Sequence, residues 1–175
     1  TGQTITGLKQ QTGDTQVGAL VVGTDKKIYM LYGNDVSDYI LTVHSSEATC
    51  VPYTLQNIGF AHFWDVNGLT QLMASQAYGS FQSHILTQAV QPFIDQKKNK
   101  TIASCVSRAN NLYKIFFTDG DGLNIQIMPN SNSTSPVVGD VMPFNYGNRI
   151  VNVADSVVDI NGVERKFIGC TDGFV

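Results

Sequence analysis

An acidic, glycine-rich segment is the part of this sequence that most resembles a metal-binding loop. It reads Asp119-Gly-Asp121-Gly122, and Asn124 follows two residues later. Calcium takes about six to eight oxygen ligands, and carboxylate and amide oxygens at this spacing are suitable donors. The full EF-hand pattern, with its distal bidentate Glu, is absent. The alternative is a tight turn in which Asp accepts backbone N–H groups and Gly adopts a positive φ. The sequence favours the turn.

The histidines show no spacing that is typical of a metal site. They form neither a His-x-x-x-His nor a His-Glu-x-x-His pattern, and they are His44, His62 and His84. His62 lies in an apolar run beside Phe63 and Trp64, which predicts a structural histidine with a hydrogen-bonded ring. A general base needs partners that this spacing does not provide.

Other reactive residues form no recognisable catalytic group. Ser80 and Ser83 lack the Gly-x-Ser-x-Gly setting of a nucleophile elbow. Glu47 and Glu164 are the only glutamates, and nothing selects a carboxylate pair. Glycine-rich phosphate-binding motifs are also missing. We therefore predict no enzyme activity and no catalytic, cofactor-binding or metal-binding residues.

The chain carries unusually few charges. Charged residues make up 14% of the sequence, against about 25% in a typical soluble domain. The net charge is −3, and no basic stripe exists to meet phosphates, so we predict no sequence-specific nucleic-acid binding. The one basic cluster, Lys97, Lys98 and Lys100, predicts a solvated loop. A polar but weakly charged surface suits packing against copies of the chain or other subunits, and it equally suits an extracellular binding domain.

Three cysteines, Cys50, Cys105 and Cys170, predict reduced thiols. Their odd number and the lack of a Cys-x-x-Cys pair argue against a zinc site or a full disulfide framework. No run of about 18 apolar residues occurs, so no membrane span is predicted.

A strand-turn-strand phrase recurs along the sequence and predicts the architecture. Its acidic turn residues lie 40, 54 and 53 residues apart, and they are Asp25, Asp65, Asp119 and Asp172. Repeats of roughly 40–50 residues with this plan are typical of β-propeller blades or of a related stacked-sheet array. We expect a mainly β fold of antiparallel meanders that form incomplete propeller-like blades.

The predicted elements follow that plan, with few exceptions. Residues 1–16 read as an extended arm or linker with at most one edge strand, and 17–175 as a single all-β domain. Apolar residues at helical spacing predict one short helix near 84–94, which Pro92 would bend or end. Asn67-Gly68 predicts a type I′ hairpin turn. Residues 79–83 read as a loop, and 129–140 reads as a flexible loop. The chain stops just after the Thr171-Asp-Gly173 turn, so we expect a fragment of a longer chain.

An ordered set of phrases resembles a known family. The phrases are Ser75-Gln-Ala-Tyr-Gly-Ser80, Ile85-Leu-Thr-Gln-Ala-Val-Gln-Pro-Phe-Ile94, Arg108 to Leu123, Met142-Pro-Phe144 and Phe167-Ile-Gly-Cys-Thr-Asp-Gly-Phe174. Together they are similar to tailed-bacteriophage virion proteins, namely the propeller-containing tail nozzle and hub proteins of short-tailed phages. The resemblance covers roughly the last 100 residues and the Val-Gly-Thr-Asp turn near residue 24. The chain is far shorter than a complete nozzle-like protein.

The resemblance implies a structural subunit of the virion. Such a subunit would assemble in the host bacterial cytoplasm with copies of itself and with other tail or connector proteins. It would form a ring around the channel for DNA ejection and would need no catalytic residues. A weakly acidic lining would let DNA slide passively, because basic residues would bind its phosphates.

The main alternative is a carbohydrate-binding or receptor-binding propeller module. Its aromatic residues could stack on sugars, although such residues in apolar strands are more often core. An exposed Trp in each blade would favour this alternative, and Trp64 is the only tryptophan.

Overall fold

Antiparallel strands form most of the regular structure of the chain. The computed structural model describes residues 2–11, 19–74, 81–128 and 137–175. Within them lie four antiparallel sheets and one short helical segment. The prediction of a mainly β fold of antiparallel meanders is therefore confirmed.

Three of the sheets have four strands, and neighbouring strands follow one another directly in sequence. Sheet 1 contains β1 (Ile5–Gln11), β2 (Ala19–Thr24), β3 (Ile28–Tyr32) and β4 (Ile40–Ser45). Sheet 2 contains β5 (Gln56–Ile58), β6 (Phe60–Asp65), β7 (Gly68–Ala74) and β8 (Phe81–Ile85). Sheet 3 contains β9 (Thr101–Ser107), β10 (Leu112–Phe117), β11 (Asp121–Met128) and β12 (Val137–Asn145). Sheet 4 contains β13 (Val151–Val158) and β14 (Glu164–Cys170).

The four sheets repeat one plan at a nearly constant interval. Their first strands begin at residues 5, 56, 101 and 151, so successive starts lie 51, 45 and 50 residues apart. In sheets 1, 2 and 3 the acidic turn residue stands where the second strand meets the third, and in sheet 4 it lies two residues after the second strand. The recurring sequence phrase therefore marks one equivalent corner of each sheet.

The chain divides into two compact units, residues 1–88 and 89–175. The first contains sheets 1 and 2, and the second contains the helix and sheets 3 and 4. The predicted single domain over 17–175 stays a prediction, because two compact units can still fold as one domain.

The core of the first unit lies between one face of sheet 1 and one face of sheet 2. Alternation along β2 and β3 puts Val21, Ile28 and Met30 on the same face, and all three are buried. They cluster with Ala61, Phe63 and Leu72 of sheet 2 and with Cys50 and Leu55 of the connecting segment. The side chain of Gln11 adds a polar contact, since its Oε1 accepts the Ala61 N–H at 3.0 Å.

Sheets 3 and 4 form the core of the second unit. Ala103, Cys105 and Phe116 of sheet 3 pack with Val151 of sheet 4. Glu164 at the start of β14 then fastens the β9–β10 turn. Its carboxylate accepts hydrogen bonds from Ser107 Oγ at 2.9 Å, from the Arg108 N–H at 2.9 Å and from the Ala109 N–H at 3.2 Å.

The helix prediction for 84–94 is wrong in its boundaries. Residues up to Ile85 belong to β8, and the helical segment comprises a 3₁₀ turn at Gln88–Val90 and helix α1 at Gln91–Lys97. Two hydrogen bonds with Leu69 hold residues 86–87 outside the helix, because the Leu86 N–H donates to the Leu69 carbonyl and Thr87 Oγ1 accepts the Leu69 N–H. Pro92 lies in the first turn of α1, where a backbone N–H has no partner within the helix. Pro92 therefore favours the start of this helix and does not end it.

Two predicted loops also contain strands. Residues 137–140 were assigned to a flexible loop, yet they begin β12, which pairs with β11 along its length. Residues 81–83 were likewise assigned to a loop and lie in β8. The remaining loop residues, 79–80 and 129–136, lie outside the described residues.

The predicted arm at 1–16 contains the one edge strand that the sequence analysis allowed. Strand β1 pairs with β2 from Ile5 to Gln11. That part of the segment is therefore a member of sheet 1, and residues 12–16 lie outside the described residues.

The β6–β7 hairpin does not use the predicted type I′ turn. Its closing pair is Asp65 and Gly68, so Val66 and Asn67 are the central residues, and neither has a positive φ. Asp65 Oδ1 accepts the Asn67 N–H at 2.6 Å, which sets the turn one residue earlier than Asn-Gly would.

No helix in the described part of the chain has the length and apolar composition that crossing a lipid bilayer requires.

We predict that Glu164→Ala lowers the free energy of unfolding by about 1–3 kcal/mol, because buried Ser107 loses a charged acceptor and two backbone N–H groups lose theirs. Urea unfolding of the variant and of Glu47→Ala, an exposed matched control, would measure this. Equal stability of the two variants would contradict the role given to Glu164.

Candidate functional site

The Asp119–Asp121 turn joins β10 to β11. Gly120 has a φ of +84°, a conformation that glycine adopts without strain. Asp119 Oδ1 faces the Asp121 N–H across the turn at 3.4 Å. The backbone geometry is thus that of the tight turn which the sequence favoured.

An ammonium group lies between the two carboxylates of this turn. Lys97 Nζ is 2.6 Å from Asp119 Oδ2 and 2.5 Å from Asp121 Oδ2. Lys100 Nζ reaches Asp119 Oδ2 at 3.0 Å, and Asn145 Nδ2 donates to Asp121 Oδ1. The two carboxylates that a calcium ion would need are therefore already neutralised by lysines.

The position of Lys97 corrects the prediction of a solvated basic loop. Lys97 is the last residue of α1, and its side chain is only 10% exposed. Its Nζ also lies 5.4 Å from the centre of the Phe93 ring, one turn earlier. Phe93 in turn makes an edge contact with Phe117 of β10. The helix therefore presents this cation to the turn, whereas Lys98 and Lys100 are exposed.

The charges at the turn stabilise one another. Burial works against the charge on Lys97, but the hydrogen bonds and charges of Asp119 and Asp121 outweigh it and raise the lysine pKa. Burial likewise opposes ionisation of Asp119, yet hydrogen bonds from Lys97 and Lys100 lower its pKa to about 2. The hydrogen bond from Lys97 is the main cause that lowers the pKa of Asp121. All three groups stay ionised at neutral pH, so none is poised to transfer a proton.

The equivalent turn of sheet 2 has the opposite electrostatics. Asp65 is almost completely buried, and its Oδ1 accepts the Asn67 N–H. Burial raises the pKa of Asp65, against the lowering effect of that hydrogen bond. The same residue type at the same corner is thus paired with lysines in sheet 3 and buried in sheet 2.

The other two acidic corners also make backbone hydrogen bonds. Asp172 Oδ1 accepts the Phe174 N–H at 3.1 Å, and Asp25 Oδ1 accepts the Thr4 N–H at 2.9 Å. In all four sheets the carboxylate of the acidic turn residue therefore accepts a backbone N–H.

Of the histidine and serine candidates, the structure describes the side chains of His44 and His62. His62 is fully buried, its Nδ1 donates to the Phe60 carbonyl at 2.8 Å, and burial lowers its pKa to about 4. Its Nε2 has no hydrogen-bond partner in the described part of the chain. His44 is half-buried, and burial lowers its pKa. Ser80 lies outside the described residues, and Ser83 and His84 lie on β8.

The cysteines and the tryptophan belong to the interior. Cys50 and Cys105 are buried, burial raises the pKa of Cys105 to about 11, and Cys170 is half-buried. All three are free thiols. Trp64 is fully buried, so it cannot offer its face to a sugar. Over the described residues, no three His, Cys, Asp or Glu side chains come together as a metal site.

Comparison of the sequence with protein-family models finds no match, and comparison with curated proteins finds none either. The resemblance to phage tail proteins stays a prediction.

We predict that Lys97→Met destabilises the protein by about 1–2 kcal/mol at pH 7, because it keeps the apolar stem but leaves two partly buried carboxylates facing each other. The low pKa of Asp119 stabilises the folded state above the ordinary pKa of 3.8, and this contribution is lost as the pH falls towards 2. The difference in unfolding free energy between variant and wild type should therefore shrink as the pH falls from 3.8 towards 2. Thermal unfolding at pH 7 and at about pH 3 would measure it, with the exposed Lys98→Met as the matched control.

We predict the reverse pH dependence for Asp65. Its raised pKa means that ionisation above the ordinary value of 3.8 costs stability in the folded state. Asp65→Asn keeps an oxygen that accepts the Asn67 N–H and removes the charge, so it should raise the melting temperature at pH 7 by about 2–4 °C. The gain should vanish below about pH 4. A lower melting temperature at pH 7 would contradict this account of the turn.

Proposed function

We propose that this protein is a structural component of a bacteriophage virion, in the tail nozzle or hub or in the head–tail connector ring. It acts by self-assembly, and its sheets are blades of an incomplete β-propeller. It is not an enzyme. Its partners are copies of itself and other tail or connector proteins.

The repeat of the sheets carries the proposal. Four sheets follow one another with starts 45 to 51 residues apart, three of them are four-stranded meanders, and each has an acidic corner at the same place. Four-stranded antiparallel sheets repeated at about this interval are the building unit of propellers. The family that the sequence phrases resemble contains propellers, so the fold and the resemblance support the same class of protein.

The chemistry of the candidate site supports a structural role. The acidic corner with the most promising metal-loop sequence holds a lysine of its own chain, and the corresponding carboxylates elsewhere bind backbone N–H groups. These residues shape turns and fasten elements to one another. Burial of the sole tryptophan also removes the feature that would have favoured the carbohydrate-binding alternative.

Low charge supports a place around a passive DNA channel. A chain with 14% charged residues and a net charge of −3 has little to hold phosphates. DNA would slide past such a lining during ejection. The protein would assemble in the cytoplasm of the host bacterium and function in the virion.

We predict that the purified protein, mixed with the other tail and connector proteins of its virion, is incorporated into ring-shaped particles that negative-stain microscopy resolves. Asp119→Ala should melt at a lower temperature yet still be incorporated, because this turn stabilises the fold only. Dispersed monomers with no affinity for any tail or connector protein would overturn the proposal.

A further inference from the structure

The face of sheet 3 that packs on sheet 4 also carries a lysine and an asparagine side by side. Lys114 of β10 pairs directly with Cys105 of β9 and with Asn124 of β11. Directly paired residues of antiparallel strands project from the same face of a sheet, and Cys105 belongs to the cluster between sheets 3 and 4. Lys114 and Asn124 therefore lie on this face, where Phe144 also packs.

The Lys114 ammonium group lacks a carboxylate partner. None of the ion pairs among the described residues includes it, and the side chain is half-buried. Its Nζ lies 5.4 Å from the centre of the Phe144 ring, a contact weaker than an ion pair in the same surroundings. Burial and then the charge of Lys166 lower the pKa of Lys114. An anion would relieve both effects.

The second ammonium group comes from sheet 4. Alternation along β14 puts Lys166 on the same side as Ile168, which packs against the cluster on sheet 3. Glu164 also lies on that side, but its carboxylate accepts three hydrogen bonds from the β9–β10 turn. Glu164 is thus committed to that turn, and the repulsion between Lys114 and Lys166 remains.

Asn124 adds a hydrogen-bond acceptor that the described part of the chain leaves without a donor. Its Oδ1 is buried and makes no hydrogen bond there. Buried polar atoms have a partner in the great majority of cases, and this atom belongs to the direct cross-strand neighbour of Lys114. A ligand that suits these groups thus offers a hydrogen-bond donor together with a negative charge.

We propose that Lys114, Lys166 and Asn124 form a binding site for a hydroxycarboxylate, an acid with a hydroxyl group close to its carboxylate. The carboxylate accepts charge-assisted hydrogen bonds from the two ammonium groups. The hydroxyl group donates to Asn124 Oδ1, and the Phe144 ring forms an apolar wall beside Lys114. Binding of such a ligand is an activity beyond the structural role proposed above.

The donor and the charge together select this class of ligand. A simple carboxylate leaves Asn124 Oδ1 without a donor, and a neutral alcohol leaves the two lysines without an anion. A phosphodiester of DNA carries a charge but no hydroxyl group on its phosphate, so it also leaves Asn124 unsatisfied. The site is therefore compatible with DNA that slides past the protein without being held.

Titration with two matched pairs of ligands, followed by the NMR shifts of backbone amides, tests the site. Lactate and propionate differ by one hydroxyl group, and glucuronate and glucose differ by the carboxylate. Lactate or glucuronate should shift amides of β10, β11 and β14 and should bind about fivefold tighter than its matched partner. The tighter of the two shows whether a free hydroxy acid or an acidic sugar is the source of this chemistry.

Variants of the chain assign the contacts. Lys114→Met keeps the apolar stem and removes the ammonium group, so it should weaken binding of the better ligand by about tenfold. Its melting temperature should stay the same or rise, because the repulsion with Lys166 is removed. Asn124→Leu should bind lactate no tighter than propionate. Lys98→Met, which removes an exposed lysine of the α1 end, is the matched control and should bind as the wild type does.

Three results would overturn the inference. They are equal binding of lactate and propionate with equal binding of glucuronate and glucose, equal affinity of Lys114→Met and wild type, and tighter binding of inorganic phosphate than of either hydroxy acid. Incorporation into ring-shaped particles is measured separately, so the binding site and the proposed structural role can each fail alone.

Discussion

The ion cluster of Lys97 with Asp119 and Asp121 is the interaction that fixes the second unit in its observed form. It joins the end of α1 to the β10–β11 corner, two elements that are more than twenty residues apart in sequence. One ammonium neutralises two carboxylates that would otherwise repel each other at the same turn. The position of the helix and the shape of the turn therefore depend on each other.

The acidic turn residue has different electrostatic surroundings in the other sheets. Asp65 is buried, so the pKa of its carboxyl group is raised, while Asp119 is held ionised by two lysines. What the corners share is a hydrogen bond that a backbone N–H donates to the carboxylate. The repeated residue therefore makes the same type of backbone contact in each sheet, while the charged groups around it differ from sheet to sheet.

Local signals in the sequence predicted the local structure. Thr-Asp pairs marked the turns, and alternating apolar residues marked most strands, because both patterns act within a few residues. Asn67-Gly68 marked a hairpin, but the turn of that hairpin lies one residue earlier. Strand β12 was missed because Gly139 and Pro143 interrupt its alternation, and its assignment depends on pairing with β11. The start of the helix was misplaced because hydrogen bonds with distant Leu69 hold residues 86–87 outside the helix. Lys97 looked like part of a solvated cluster because its partners lie far along the chain. Complementary charge between that basic cluster and the acidic turn was the one signal that could have found the pair.

Consecutive strands pair in every sheet, and this order has a consequence for how the protein folds. Most backbone pairings join neighbours in sequence, so a sheet can form with little loss of chain entropy. Folding can then proceed during translation, one two-sheet unit after the other, because each core lies between two sheets. Lys97 is synthesised before the β10–β11 hairpin, so its ammonium group stays solvated until Asp119 and Asp121 can pair with it. Formation of sheet 3 is thus the step at which the nascent chain buries the Lys97 ammonium group.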